Sequence, residues 1–486
     1  MAESLKNKTV NGVSWSLMKS VVTFAMQFVI SIVLARLLSP DDYGLIGLIM
    51  IFTVIADCIT ISGFFSSLIQ KQDATEDDYN TMFVSNMATS TLMYLLLFFG
   101  APLIAEFFNR VELINLVRVQ SLTLIISAAN LVQRARLTKQ LDFKTPTKIA
   151  VITSAFSGIL GICMAYFGFG VWALTIPTVA SSLLSTILYC CHNHWIPKLR
   201  FSIKSFKELF GYGWKILVAE LFDTIFMQAY QFVVGKFYSP ATLGQYTRGK
   251  GFVDLICTNV YNMTRDVTFP VLSQLQTEKE RARDAFRRII RMLMFITVIL
   301  LFGLVAMAKP LVLFLIGEKW LPSVFFLQIL CFGSLLYPIN ATNMNLLKSQ
   351  GRSDRYLVLA LIRKFLEIGP ICLGIFIDIK WMVVGMVITN WIGFFLYSHY
   401  AGKTIGYSSI RQLLDLTPSI LIAAAMAIPL WLLSFLPISI NVVLLAIQVV
   451  TGVVLVIVLC KITRIQEYKE LKEIISGYYK KIRRHA

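Results

Sequence analysis

LARLLSPDDYG, residues 34–44, returns two hundred positions later as VGKFYSPATLG, residues 234–244. Ser39-Pro40 aligns with Ser239-Pro240 and Gly44 with Gly244, each time between two long apolar runs. The correspondence extends outward from both turns. Trp15 lies opposite Trp214 with a slip of one residue, and Asn130 with its basic sequel is matched by Asn340 with its own. A Ser-Pro-x-x-x-Gly match is weak alone, but matched turns, matched flanks and matched order along the chain make an internal repeat.

The flanking runs decide the fold class. Of the 486 residues, 57% are hydrophobic and 15% charged, with a mean hydropathy of +0.70. Soluble domains carry about 25% charged residues. Runs such as VVTFAMQFVISIVLA (21–35), TLMYLLLFFGAPLIA (91–105), MLMFITVILLFGLVAMA (292–308) and VVLLAIQVVTGVVLVIVLC (442–460) recur throughout. Each approaches the ~20 residues that cross ~30 Å of hydrocarbon as a helix. They lack the alternation of barrel strands. The expectation is an all-α polytopic membrane protein of about fourteen transmembrane helices, with no soluble domain. The spans read 13–38, 43–70, 80–108, 113–138, 145–167, 170–195, 207–236, 243–275, 285–316, 320–349, 355–377, 380–403, 412–436 and 440–463. The apolar segment after MAESLKNKTVNG has no small-residue cleavage site and reads as an uncleaved first helix.

The repeat arranges these spans as two six-helix lobes, residues 1–197 and 198–404. Each lobe crosses an even number of times, so the two are parallel repeats related by a pseudo-twofold axis along the membrane normal. Two extra C-terminal helices follow over 405–464, then a basic amphipathic tail over 465–486.

Charge sets the orientation. With the N-terminus in the cytoplasm, inner connections and tail hold 31 Lys and Arg residues and outer connections five: Arg110, Lys236, Lys309, Lys319 and Lys380. This asymmetry places both termini in the cytoplasm. Basic loops facing anionic lipid account for the net charge of +18 without nucleic acid. In the tail, Ile465, Tyr468, Leu471, Ile475, Tyr479 and Ile482 recur among lysines, the spacing of a helix lying on the inner membrane surface.

Polar groups inside the spans carry the functional reading, because a central charge costs roughly 2.5–3.5 kcal/mol on insertion scales. On helix 1, Ser16, Ser20, Thr23, Gln27 and Ser31 fall on one face. Helix 7 places Glu220, Asp223 and Gln231 opposite Ser20, Thr23 and Ser31, and helix 8 aligns Lys250, Asp254, Tyr261 and Arg265. Helix 2 adds Asp57 between two threonines. Interhelical hydrogen bonding explains isolated serines and threonines. Whole stripes on repeat-related helices point to a wet cavity between lobes. Nine basic residues within spans outnumber six acidic ones, giving a ladder for an anionic, phosphate-like group. Its candidates are Arg118, Arg248, Lys19, Lys215, Lys250 and Arg265. Arg118 and Arg248 stand first, having no acidic neighbour within a turn of their own helix. Local pairs such as Lys250–Asp254 or Lys364–Glu367 are the competing explanation for about half of these charges. Asp57, Glu220, Asp223 and Asp254 are candidates for coupling to H+ or Na+, and Ser20, Thr23, Gln27 and Gln231 for the polar cavity face.

Catalytic and metal chemistry find no pattern here. The eight cysteines lie within or at the ends of spans without metal spacing, and His192, His194, His399 and His485 show no helical metal spacing on one span. No Gly-rich loop with lysine offers to bind ATP, so no cofactor is expected beyond a coupling ion.

The opening NGVSWSLMKSVVTFAMQFVISIVLARLLSPDDYGLIGLIMIF resembles the start of Wzx/WzxC-type polysaccharide transporters, members of the multidrug/oligosaccharidyl-lipid/polysaccharide superfamily. RARLTKQLDFKTPTK after helix 4 and LLKSQGRSDRY after helix 10 look similar too. The resemblance implies a two-lobed flippase that moves undecaprenyl-diphosphate-linked oligosaccharide from the cytoplasmic to the outer leaflet by alternating access, in surface polysaccharide or lipopolysaccharide (O-antigen) synthesis. Its partners would be that polyprenyl diphosphate, membrane lipids and other polysaccharide-assembly proteins. A multidrug cation antiporter of the same superfamily, using a membrane carboxylate, is one alternative reading. A polytopic glycan-processing enzyme is another, disfavoured by outer loops of a few residues.

Overall fold

The computed structural model describes residues 22–23, 25–71, 73–140, 142, 144–193, 195–275, 278–350, 352–435 and 441–473. Among these residues every regular element is a helix. Eleven helices are long and apolar enough to cross a membrane, and Ala25–Leu37 is a shorter apolar helix, α1. The chain divides after Gly244 into two compact units.

The first unit continues with α2 (Pro40–Gln70), α3 (Glu76–Phe108), α4 (Leu113–Gln120), α5 (Leu122–Lys139), α6 (Lys144–Tyr166), α7 (Trp172–Asn193) and α8 (Ile203–Phe237). α9 (Pro240–Gln274) begins in it and runs into the second. α4 and α5 form one span, interrupted at Ser121. The starts of α2 and α3 are written in sequence: Ser39 with Asp42, and Thr75 with Asp78, form reciprocal capping boxes. Thr75→Ala should therefore cost about 1 kcal/mol, visible as a lower thermal midpoint of purified protein.

α2 and α8 run antiparallel along a close seam. Gly63 faces Gly213, Leu48 faces Gly235, and the Ser67 hydroxyl donates to the Leu209 carbonyl at 2.8 Å. Small residues are what allow this approach: a β-carbon on Gly213 would lie 2.5 Å from the Gly63 oxygen. Through this seam α8 belongs to the compact unit of the first half. At the seam's basic end Lys71 bridges Asp78 (2.9 Å) and Glu208 (2.7 Å). The hydrogen bond it donates to Glu208 holds the Lys71 ammonium above its ordinary range against the cost of burial. Beside it Glu76 accepts from Trp195 at 2.9 Å and pairs with Arg136 at 3.1 Å.

The second unit contains α10 (Lys279–Ala306), α11 (Ala308–Leu315), α12 (Ser323–Ser334), α13 (Tyr337–Ser349), α14 (Ser353–Phe376), α15 (Ile379–Ile405), α16 (Ser409–Leu433) and α17 (Asn441–Thr463). α12 and α13 form one span. α9 and α14, of 35 and 24 residues, are not among the eleven apolar spans and take the places read as helices 8 and 11. Trp320, Phe286, Met294 and Phe394 are fully buried in this unit.

The described part of the tail departs from the membrane-surface reading. Residues 466–473 are helical, and Ile465, Tyr468 and Leu471 join Phe295, Ile422 and Cys460 in one apolar cluster. The periodic face meets protein rather than lipid. Ile475, Tyr479 and Ile482 lie outside the described residues.

Candidate functional site

Where the membrane-depth charges point distinguishes glue from a hydrated face. In the span Gly213–Phe237 of α8, Lys215, Glu220 and Asp223 are all exposed. Hydrocarbon cannot solvate such groups at tolerable cost, so the face carrying them turns toward water. Neither Lys215 nor Glu220 has an ion-pair or hydrogen-bond partner among the described residues.

The α2–α8 seam adds Asp57 to this level. The register that sets Gly63 against Gly213 and Leu48 against Gly235 brings Asp57 to the height of Glu220. Asp57 is half-buried, and its carboxylate has no partner among the described residues; only its backbone carbonyl is used, accepting from the Thr60 hydroxyl at 3.0 Å. Three candidate coupling carboxylates, Asp57, Glu220 and Asp223, thus share one depth in the first unit. Gln231 is half-buried further along α8, and the nearby Gln228 has a buried carbonyl oxygen without a hydrogen bond. On the first helix Gln27 is exposed and Thr23 half-buried, whereas Lys19 and Ser20 lie outside the described residues.

Arg118 sits in the last turn of α4. Its Nε donates to the Phe98 carbonyl at 3.2 Å, and its guanidinium lies 4.5 Å from the centre of the Phe98 ring. No carboxylate pairs with it among the described residues. A guanidinium backed by an aromatic face and lacking an acidic partner keeps N–H groups for an external anion.

In the second unit, α9 carries Lys250 and Asp254 as an i, i+4 ion pair with partly exposed side chains. This is the local pair the spacing allows, so Lys250 is a neutralised cation. Arg248 is held differently, 5.9 Å from the Phe252 ring centre and 5.8 Å from that of Trp320. Gly249 makes this possible: a β-carbon there would come within 2.8 Å of the Ser323 oxygen. Arg265 belongs to the same helix, but its side chain lies outside the described residues.

One half-buried charge cluster was not among the candidate site residues. Arg363 of α14 pairs with Glu367 at 3.3 Å, donates to the Asn390 side chain of α15 at 2.5 Å and faces Tyr397. The i, i+4 spacing of Arg363 and Glu367 was the available signal; Asn390 had none. Among the described residues no group of histidine, cysteine and carboxylate side chains is arranged to hold a metal.

A helical bundle with eleven helices long and apolar enough to cross a membrane belongs to the class of polytopic membrane proteins. More narrowly, the chain belongs to the polysaccharide biosynthesis protein family, whose profile matches residues 33–325. It is 27% identical to the teichuronic acid biosynthesis protein TuaB of Bacillus subtilis over 72% of this chain and 73% of that one. It is 24% identical to the lipopolysaccharide biosynthesis protein WzxC of Escherichia coli K12, over 76% of each. Among solved structures, the lipid II flippase MurJ in an inward closed conformation matches with a TM-score of 0.74 at 16% identity, covering 94% of this chain and 99% of that one. An inward-facing MATE transporter matches with a TM-score of 0.60 at 16% identity, covering 85% and 98%. The fold is that of the MurJ and MATE transporters.

Proposed function

We propose that this protein is a flippase that moves polyprenyl-diphosphate-linked oligosaccharide from the cytoplasmic to the outer leaflet of a bacterial inner membrane by alternating access, with both termini cytoplasmic. The observation that carries the reading is the exposed α8 face with Lys215, Glu220 and Asp223 at bilayer depth, in a chain of the polysaccharide biosynthesis family. A diphosphate and its sugars need water and positive charge on the way across, whereas a polyprenyl tail remains in lipid. No covalent chemistry is required. The relatives named for teichuronic acid and lipopolysaccharide biosynthesis support a surface glycan as cargo.

In this reading Arg118 and Arg248 are the principal diphosphate contacts, Lys19, Lys215 and Arg265 are further cations along the pathway, and Lys250 becomes available only when its pair with Asp254 opens. Asp57, Glu220, Asp223 and Asp254 take the coupling H+ or Na+, for which 100 mV supplies roughly 2.3 kcal/mol per charge. Replacing Arg118 and Arg248 together with alanine should lower glycan export at least tenfold while membrane abundance stays normal. Wild-type export in that double variant would remove both arginines from the pathway.

The carboxylate of Asp57, unpartnered among the described residues, favours one second reading, export of a cationic drug. Cation efflux from everted vesicles that is lost in Asp57→Asn, with glycan assembly intact, would establish it over the flippase.

A further inference from the structure

A groove of about 410 Å3 runs along one face of α3 in the first unit. Phe83, Met87, Thr91 and Leu95 follow one another along it at i, i+4 spacing, and Leu199 lines it from the segment that precedes α8. Ala88 and Leu92 on the same strip are exposed, so the groove opens sideways from a membrane span onto lipid. From Phe83 to Leu95 the helix rises about 18 Å. One leaflet of a bilayer with ~30 Å of hydrocarbon is about 15 Å deep. The groove thus has the length of an acyl chain extended through one leaflet, and a long polyprenyl chain would overrun it.

Charge gathers at one end of this groove. The backbone N–H of Lys198 donates to the Asn80 side chain at 2.8 Å, and that of Ser202 donates to the Thr81 hydroxyl at 3.0 Å, both acceptors belonging to buried residues of α3. These bonds set Leu199 at the Phe83 end and its neighbours Lys198 and Arg200 at the mouth. α3 opens on the polar stretch EDDYNT (76–81), so the mouth lies at the boundary between headgroups and hydrocarbon. Leu199 is 85% exposed, a costly position in water but a favourable one at that boundary. The side chains of Lys198, Arg200 and Lys204 are exposed, and none forms an ion pair among the described residues. Of the acids that open α3, Glu76 pairs with Arg136 and Asp78 with Lys71, which leaves Asp77 against three cations.

We propose that this groove holds an anionic glycerophospholipid of the leaflet at the basic end of the bundle. One acyl chain lies along α3 from Phe83 to Leu95, and the phosphate sits among Lys198, Arg200 and Lys204. Three cations against one carboxylate select a headgroup of net negative charge, because choline and ethanolamine headgroups would each bring a further cation to them. Leu199 stands between phosphate and chain, at the depth of the glycerol. The lipid ties the segment joining α7 to α8 onto the bilayer, and the site is independent of what the protein transports.

The test is photo-crosslinking of the full-length protein in phosphatidylcholine vesicles that carry a small share of phosphatidylglycerol, or of phosphatidylcholine, with a diazirine in the acyl chain. Adducts are located by peptide mass spectrometry. At equal probe content, residues 83–95 should be labelled at least threefold more by the phosphatidylglycerol probe. Replacing Lys198, Arg200 and Lys204 together with glutamine should bring that ratio near one. The three side chains are exposed and the backbone bonds to Asn80 and Thr81 remain, so this variant should fold. Ala88→Trp, which fills the groove from an exposed position without changing charge, should lower phosphatidylglycerol labelling at Thr91 and Leu95 at least threefold. Equal labelling by both probes in the wild type, an unchanged ratio in the triple variant, or unchanged labelling in Ala88→Trp would each overturn the assignment. So would displacement of the phosphatidylglycerol probe by a polyprenyl phosphate more readily than by unlabelled phosphatidylglycerol.

Discussion

Gly44→Ala should abolish export and lower the thermal midpoint sharply, and Gly244→Ala should do the same. A β-carbon on Gly44 would lie 1.8 Å from the carbonyl oxygen of Pro240, and one on Gly244 would lie 2.0 Å from that of Pro40. The two repeat-related turns therefore meet each other, the glycine of each seated on the proline carbonyl of the other. A β-carbon has no rotamer, and the atoms it would strike are backbone, so relief requires the start of α9 and the start of α2 to part. Overpacking of this kind costs about 1–3 kcal/mol, sometimes more. Gly235→Ala makes a useful contrast. Its β-carbon would meet Cδ2 of Leu48 at 2.2 Å, but that is the end of a side chain that can turn away. It should be much milder. The Gly44→Ala/Gly244→Ala double variant should be little worse than either single, because one intrusion already opens the contact that the other would break. Melting of purified variants and export at matched abundance check the order. Near-wild-type values for Gly44→Ala would show that these turns separate freely.

The sequence displays both turns, but it cannot display that they touch. A repeat reports that LARLLSPDDYG and VGKFYSPATLG are alike; their contact depends on α2 and α8 running antiparallel along glycines at 63, 213 and 235, which no local pattern encodes. The same division holds for the charges. Lys250–Asp254 was legible because i, i+4 neighbours on a helix must meet. The exposed run on α8 was legible because charge at membrane depth is rare and periodicity fixes its face. The supports of the arginines were not: Phe98 lies twenty residues from Arg118, and Trp320 seventy-two from Arg248. The tail misled for a definite reason. An apolar stripe with period 3.6 suits a lipid surface and a protein groove equally, and only the Arg291–Glu467 and Arg288–Glu470 pairs, formed across more than 170 residues, decide for the groove.

The second large effect is expected at Arg363. Its side chain is 21% exposed and that of Glu367 15%, so the pair is mostly withdrawn from water within the α14–α15 packing. Arg363→Met would remove the guanidinium that neutralises Glu367 and would take the donor from Asn390, whose backbone carbonyl accepts in turn from Asn340 at 3.4 Å. Breaking one side of a buried pair costs about 3–5 kcal/mol. Arg363→Lys should fall between the two, keeping the charge but losing the fork that serves Glu367 and Asn390 together. Arg363→Met with Glu367→Leu should return part of the stability lost in Arg363→Met alone, because it removes the carboxylate that has lost this partner. Unfolding in micelles measures all three. Recovery of stability without recovery of export would mean that the Arg363–Glu367 pair takes part in transport, whereas recovery of both would assign it to holding α14 against α15.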